Sequence, residues 1–171
     1  LNYANPAVRA EMKKVARFWI HDVGVDGFRL DAAKHIFEDG AKNENLPATH
    51  DWWKEYGSYV RSLKPGAFTV GEVWSNTDTV ATYLQGDQMD LAFAFDMAGD
   101  NVYTAATGIA RYAFTTIDRT NRYIPRQQYA SFLTNHDQNR VMSTLKGNLE
   151  DAKIAAMLML TSPGVPFIYY G

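Results

Sequence analysis

The chain has no cysteine. That removes disulfides and thiolate chemistry, but it fixes no compartment, because many secreted proteins also lack disulfides. Net charge is nearly absent too: 17 Lys and Arg stand against 19 Asp and Glu, leaving −2. Such a balance gives no electrostatic pull toward nucleic acid or an anionic membrane. Neutral sugars are compatible with it and are not implied by it. No apolar run is long enough to cross a bilayer, and no secretory leader is visible. No repeat or low-complexity tract interrupts the sequence. No initiator methionine opens it: it starts at Leu1, on the approach to a helix, and stops at Gly171 after an apolar run. Both ends read as truncations, so targeting signals could lie outside them.

What is present is a helix–strand alternation in 171 residues, enough for one domain with a sizeable core. Asn5-Pro6 is an N-cap followed by a proline suited to the first helical turn. Val8, Met12, Val15, Phe18 and Trp19 then recur at helical spacing to about Val23, and Gly24 ends the run. A strand is expected over residues 25–30. A polar loop follows over 38–50, then a helix over 51–63 with Trp53, Tyr56, Val60 and Leu63 as its apolar stripe. Trp53 reads as core, and Trp52 as core or sugar platform. Further strands are expected over 67–70, 89–95, 129–134 and 165–170. Further helices are expected over 77–84, 105–114 and 151–160, with a loop over 121–125.

Five short apolar strands alternating with helices call for a parallel sheet covered by helices. No glycine-rich phosphate fingerprint follows any strand, which argues against a nucleotide-binding doubly wound sheet. In a (β/α)8 barrel, chemistry gathers at the C-terminal strand ends. Asp31, Glu72 and Asp137 all stand at such ends.

The stretch GVDGFRLDAAKH, residues 24–35, organises the rest. Phe28 and Leu30 alternate with Arg29 and Asp31, so the apolar and charged pairs take opposite faces. Charges on a buried face are costly unless paired, and a structural Arg29–Asp31 ion pair accounts for this stretch alone. Three acids converging in one mouth go further. They repel, so some pKa values rise or a cation sits among them. The first outcome suits a retaining glycosidase, with one ionised carboxylate as nucleophile and one protonated carboxyl as acid and then base. The second suits a divalent-metal enzyme. Residue types alone leave both readings open.

GFRLDAAKH, GEVW and FLTNHDQNR, in that order, resemble three signature regions of the α-amylase family of glycoside hydrolases. VPFIYYG resembles that family's eighth barrel strand. The resemblance covers essentially the whole chain. It implies an α/β fold that is a partial (β/α)8 TIM barrel, roughly strands four to eight. Residues 1–171 would then be the C-terminal portion of the catalytic barrel, truncated at both ends. By the same resemblance Asp31 is the nucleophile, Glu72 the acid/base and Asp137 the acid that steadies the transition state. Arg29, Lys34, His35, His136 and Trp74 are implied to bind substrate. The Lys34–His35 pair favours α-1,4 cleavage of starch-like glucans. An α-1,6-glucosidase, a transglycosylase and a catalytically silent sugar-binding relative remain the alternatives. Calcium is implied only for the parent protein, with the backbone carbonyl of His35 as one ligand. The implied partner is an α-glucan, not nucleic acid or membrane, and the implied parent is a monomer, plausibly secreted. The chain alone is expected to be inactive and poorly stable, because an unclosed barrel exposes sheet edges and core.

Overall fold

The computed structural model describes residues 1–124 and 127–170. It divides into two compact units, Leu1–Trp74 with Thr82–Ala92, and Ser75–Ala81 with Phe93–Gly171. Among the described residues there are five strands and seven α-helices, and every described strand pairing is parallel.

The first unit opens with α1 (Pro6–Arg17), capped as the sequence suggests: the Asn5 side chain accepts the Ala7 N–H. The helix then widens into a π-helical turn over Phe18–Val23, and Gly24 closes it in the left-handed region at φ 91°. Strand β1 (Gly27–Leu30) pairs in parallel with β2 (Phe68–Gly71), with Gly27 opposite Phe68 and Leu30 opposite Gly71. Residues 70 and 71 of β2 pair in turn with residues 91 and 92 at the start of β3 (Leu91–Phe93). Between β1 and β2 runs α2 (Pro47–Leu63), whose Trp52, Trp53, Tyr56 and Val60 are all buried. Each such side chain contributes about 1.5–3 kcal/mol by leaving water. Both tryptophans are therefore core, and Trp52 is no sugar platform. The helix starts four residues before the expected Asp51, because Pro47 takes the first helical position rather than a loop position.

In the second unit, α3 (Thr77–Thr82) begins where Asp96 accepts both the Thr77 N–H, at 2.8 Å, and its hydroxyl, at 3.0 Å. That carboxylate is not at the end of a seven-residue strand, as the sequence suggested. β3 stops at Phe93, and Asp96 lies in the first turn of α4 (Phe95–Thr107). Gly108, at φ 72°, ends α4, and α5 (Arg111–Tyr123) follows. The single helix expected over 105–114 is thus two helices. Residues 121–123 of the expected loop belong to α5, and Pro125 lies outside the described residues. β4 (Tyr129–Ser131) pairs in parallel with β5 (Val165–Pro166). Between them run a short α6 (Val141–Thr144), which the sequence pattern did not signal, and α7 (Leu149–Thr161), capped by Asn148. Phe95, Ala98 and Phe132 form a buried cluster with Phe93 and Phe167 packed on it. Their rings meet edge to face, with centroids 5.1–5.5 Å apart.

Candidate active site

Parallel pairing carries β1 and β2 to their C-terminal ends side by side. The ladder continues just past both strands. The Glu72 N–H donates to the Leu30 carbonyl, and the Ala33 N–H donates to the Glu72 carbonyl, each at 2.9 Å. Between these bonds the chain turns sharply, with Ala32 in the left-handed region at φ 42°. The turn places Asp31 at the strand end, beside Glu72. Arg29 then joins the two acids. One terminal nitrogen of its guanidinium is paired with the Asp31 carboxylate and the other with that of Glu72.

The burial of this group differs from the sequence expectation. The Asp31 side chain is 77% exposed and that of Arg29 is 34% exposed, while the Glu72 side chain is only 10% exposed. The charged face of β1 is therefore open to solvent at Asp31 and partly so at Arg29. Phe28 and Leu30 take the opposite face, and Leu30 is buried. The reading of Arg29 and Asp31 as a simple structural pair does not suffice, since the same guanidinium also serves the buried Glu72.

Lys34 and His35 follow on the same turn, and neither is a loosely solvated side chain. The Lys34 ammonium lies 2.6 Å from the Glu44 carboxylate, and the lysine side chain as a whole is 18% exposed. That ammonium, with a smaller pull from His35, holds the Glu44 carboxyl below the usual carboxylate range. The His35 Nδ1 is 3.0 Å from the Asn43 carbonyl. Trp74 lies beyond β2 and is largely exposed. In the second unit, His136 and Asp137 form a neighbouring pair, with 3.3 Å between Nε2 and a carboxylate oxygen. They sit in a turn several residues past β4, which is shorter than the 129–134 expected. The Asp137 N–H donates to the Asn135 side chain at 3.1 Å. So Arg29, Asp31 and Glu72 are brought together within one unit, with Lys34 and His35 on the adjoining turn, and His136 and Asp137 within the other.

Among the described residues, no group of three His, Asp or Glu side chains has the arrangement a metal ion requires. The metal-enzyme reading of the acids thus finds no donor set here.

Two contributors went unnoticed in the sequence. Glu44 lies in a stretch, GAKNENLP, whose polarity signals only a loop. Arg140 stacks on Tyr169 and Tyr170, 4.8 and 5.0 Å from their ring centres, and its guanidinium donates to the Tyr170 carbonyl. It thereby ties the segment after Asp137 to the segment after β5. An arginine three residues past an acid gave no separate sign of this.

The family model for the alpha-amylase catalytic domain matches residues 1–171. The chain belongs to the alpha-amylase family. It is 42% identical over 173 residues to alpha-amylase 3 of Dictyoglomus thermophilum, covering all of this chain and 33% of that protein. It is 29% identical over 176 residues to a cyclomaltodextrinase of Geobacillus thermopakistaniensis, covering all of this chain and 27% of that one. The crystal structure of the alpha-amylase from H. orenii superposes with a TM-score of 0.86 at 37% identity, covering all of this chain and 35% of that one. The chain therefore spans about a third or less of the length of these relatives. The α/β arrangement with parallel strands is that of part of an alpha-amylase TIM barrel, as the motifs implied.

Proposed function

We propose that this chain forms the later part of the catalytic barrel of a longer enzyme, one that hydrolyses α-1,4-glucosidic bonds of starch-like glucans with retention. The observation that carries the proposal is the single guanidinium of Arg29 joined to both Asp31 and Glu72. Carboxylates sharing one guanidinium are held near each other, as the paired acids of a glycosidase are. On this reading Glu72 gives a proton to the glycosidic oxygen as the bond from that oxygen to the anomeric carbon breaks. Asp31 forms an ester to the same carbon. Water then gives a proton to Glu72 and attacks that carbon, and the Asp31 ester bond breaks.

Burial favours this assignment of roles. Asp31 stands open to solvent, whereas Glu72 is buried, and burial makes a carboxylate costly to leave ionised. The Arg29 contact opposes protonation of Glu72, so the acid role requires Arg29 to favour Asp31 once substrate is bound. Asp137 and His136 hold sugar hydroxyls, Lys34 and His35 receive the leaving-group side, and Trp74 offers a stacking face. A calcium ion on the His35 carbonyl would draw its remaining ligands from elsewhere in the whole protein.

Asp31→Asn and Glu72→Gln in the full-length protein should each lower starch hydrolysis by at least about a thousandfold. Proton NMR of the first product should show the α anomer. An initial β anomer would overturn retention. One second reading stays within the family, transfer or α-1,6 cleavage, and products from maltooligosaccharides against isomaltose separate it.

A further inference from the structure

Between β1 and α2 the chain makes a loop that returns to the Lys34–His35 turn. Its tip is closed by reciprocal main-chain bonds between Asp39 and Lys42, at 2.8 and 3.0 Å. Its return limb is fixed at Asn45, in the left-handed region at φ 55°. The Asn45 N–H donates to the Lys34 carbonyl at 3.0 Å. The Tyr83 hydroxyl, on a ring buried against His50, donates to the Asn45 side chain at 2.9 Å. On the other side, the buried Trp53 indole donates to the Ala33 carbonyl at 2.7 Å. The two-residue Lys34–His35 step is therefore gripped from both sides by buried aromatic residues.

The loop then decides what that step presents. A carbonyl can only accept, so the Asn43 carbonyl selects the His35 tautomer with its proton on Nδ1. The His35 Nε2 lies on the Glu44 side, 3.9 Å from the same carboxylate that holds Lys34. Glu44 takes one of the three Lys34 N–H directions and leaves the ammonium two others to donate. Two N–H groups on one ammonium suit adjacent hydroxyl oxygens of a sugar ring, both accepting.

We infer that Glu44 and the Asn43 carbonyl make the 39–45 loop a specificity element, with Glu44 the positioning residue that aims Lys34 at a vicinal diol of the glucan. This rests on the glycosidase reading above and extends it to a residue outside the signature motifs. Loss of Glu44 releases the ammonium of a mostly buried lysine side chain from the direction that fixes it.

The test is a double-mutant cycle on the full-length protein, with maltoheptaose as the probe. Glu44→Gln should raise KM about fivefold, the upper reach of a partly exposed ion pair, with kcat little changed. Glu44→Asp, which keeps the charge on a shorter arm, should recover part of that loss. In a Lys34→Ala background the Glu44→Gln effect should vanish, because the residue acts through the lysine. Full additivity of the two substitutions, or an equal fall in kcat, would overturn the inference. Calorimetric binding of maltoheptaose in an Asp31→Asn background repeats the cycle without turnover, and additivity there overturns it as well. Failure of the wild-type enzyme to hydrolyse maltoheptaose would sink the glycosidase reading itself. Hydrolysis without Glu44–Lys34 coupling would sink only this extension.

Discussion

Arg29 is where single-residue chemistry is most exacting. Its fork reaches two carboxylates at once, which a lysine's point charge cannot do from one position. Arg29→Lys should therefore cost about a hundredfold in kcat of the full-length enzyme, and Arg29→Met more, since it leaves the buried Glu72 unpaired. A lysine variant of wild-type rate would show that bridging is unnecessary. Two buried tyrosines make a different, testable contribution. Burial, with smaller pushes from Tyr3 and Tyr59, raises the Tyr56 phenol to about 12, and burial raises Tyr129 to about 12. Unfolded, both release their protons near 10.0. Above that pH the unfolded chain binds fewer protons than the folded one, so stability falls. The contribution is whole below pH 10 and is lost as pH rises toward 12. Urea unfolding across that window should show the decline, and Tyr56→Phe should flatten it. The acids and Arg29 were legible in the sequence because the charged residues break an apolar strand at a set spacing. Glu44 was not, because nothing in a polar loop tells which carboxylate will fold back on a lysine ten positions earlier.

At the scale of the element, the strands are shorter than their apolar runs. Residues 89–95 read as one strand, but only Leu91–Phe93 pair. Met89 and Phe95 are buried for packing instead, and apolarity alone does not separate the two uses. The two helices α4 and α5 were legible only in part, since a lone Gly108 is a weak signal of a break. The Asn5 cap was legible, because an Asn before a helical run has a local mechanism; the same device at Asn148, ahead of the expected helix start at Asp151, was not read. Asn148 accepts the N–H groups of Glu150 and Asp151, and Asn148→Ala should cost about 1 kcal/mol in a denaturant titration. Gly27 is fixed by close approach, not by its turn preference. A β-carbon there would run into the carbonyl of Phe68, its partner in register. That oxygen belongs to the backbone and cannot swing aside. Gly27→Ala should therefore lower stability by about 2 kcal/mol and disturb the strand that carries Arg29.

For the whole molecule, the alternation of strand and helix carried the fold class, and the order of the motifs carried the family. What neither carried was the extent of cover. In the first unit Val15, Phe18 and Trp19 are exposed, although their spacing marks them as a core stripe. In the second, Ile154, Met157 and Leu160 of α7 are exposed as well. A stripe of this kind identifies a surface that wants burial without naming what buries it. The 171-residue chain by itself is accordingly expected to unfold broadly in urea and to leave starch intact. A sharp two-state transition together with hydrolysis would contradict this.

The loop tip at Asp39–Lys42 has a consequence for protein engineering. Its two strands of backbone are latched to each other at the tip, and the return limb is latched to Lys34 further down. Extra residues spliced between Gly40 and Ala41 would extend outward from a closed stem, and the span the stem must bridge would not change. The position is thus a natural graft point, where a recognition peptide or a second binding module could be carried beside the Lys34–His35 turn without resetting the strands beneath it.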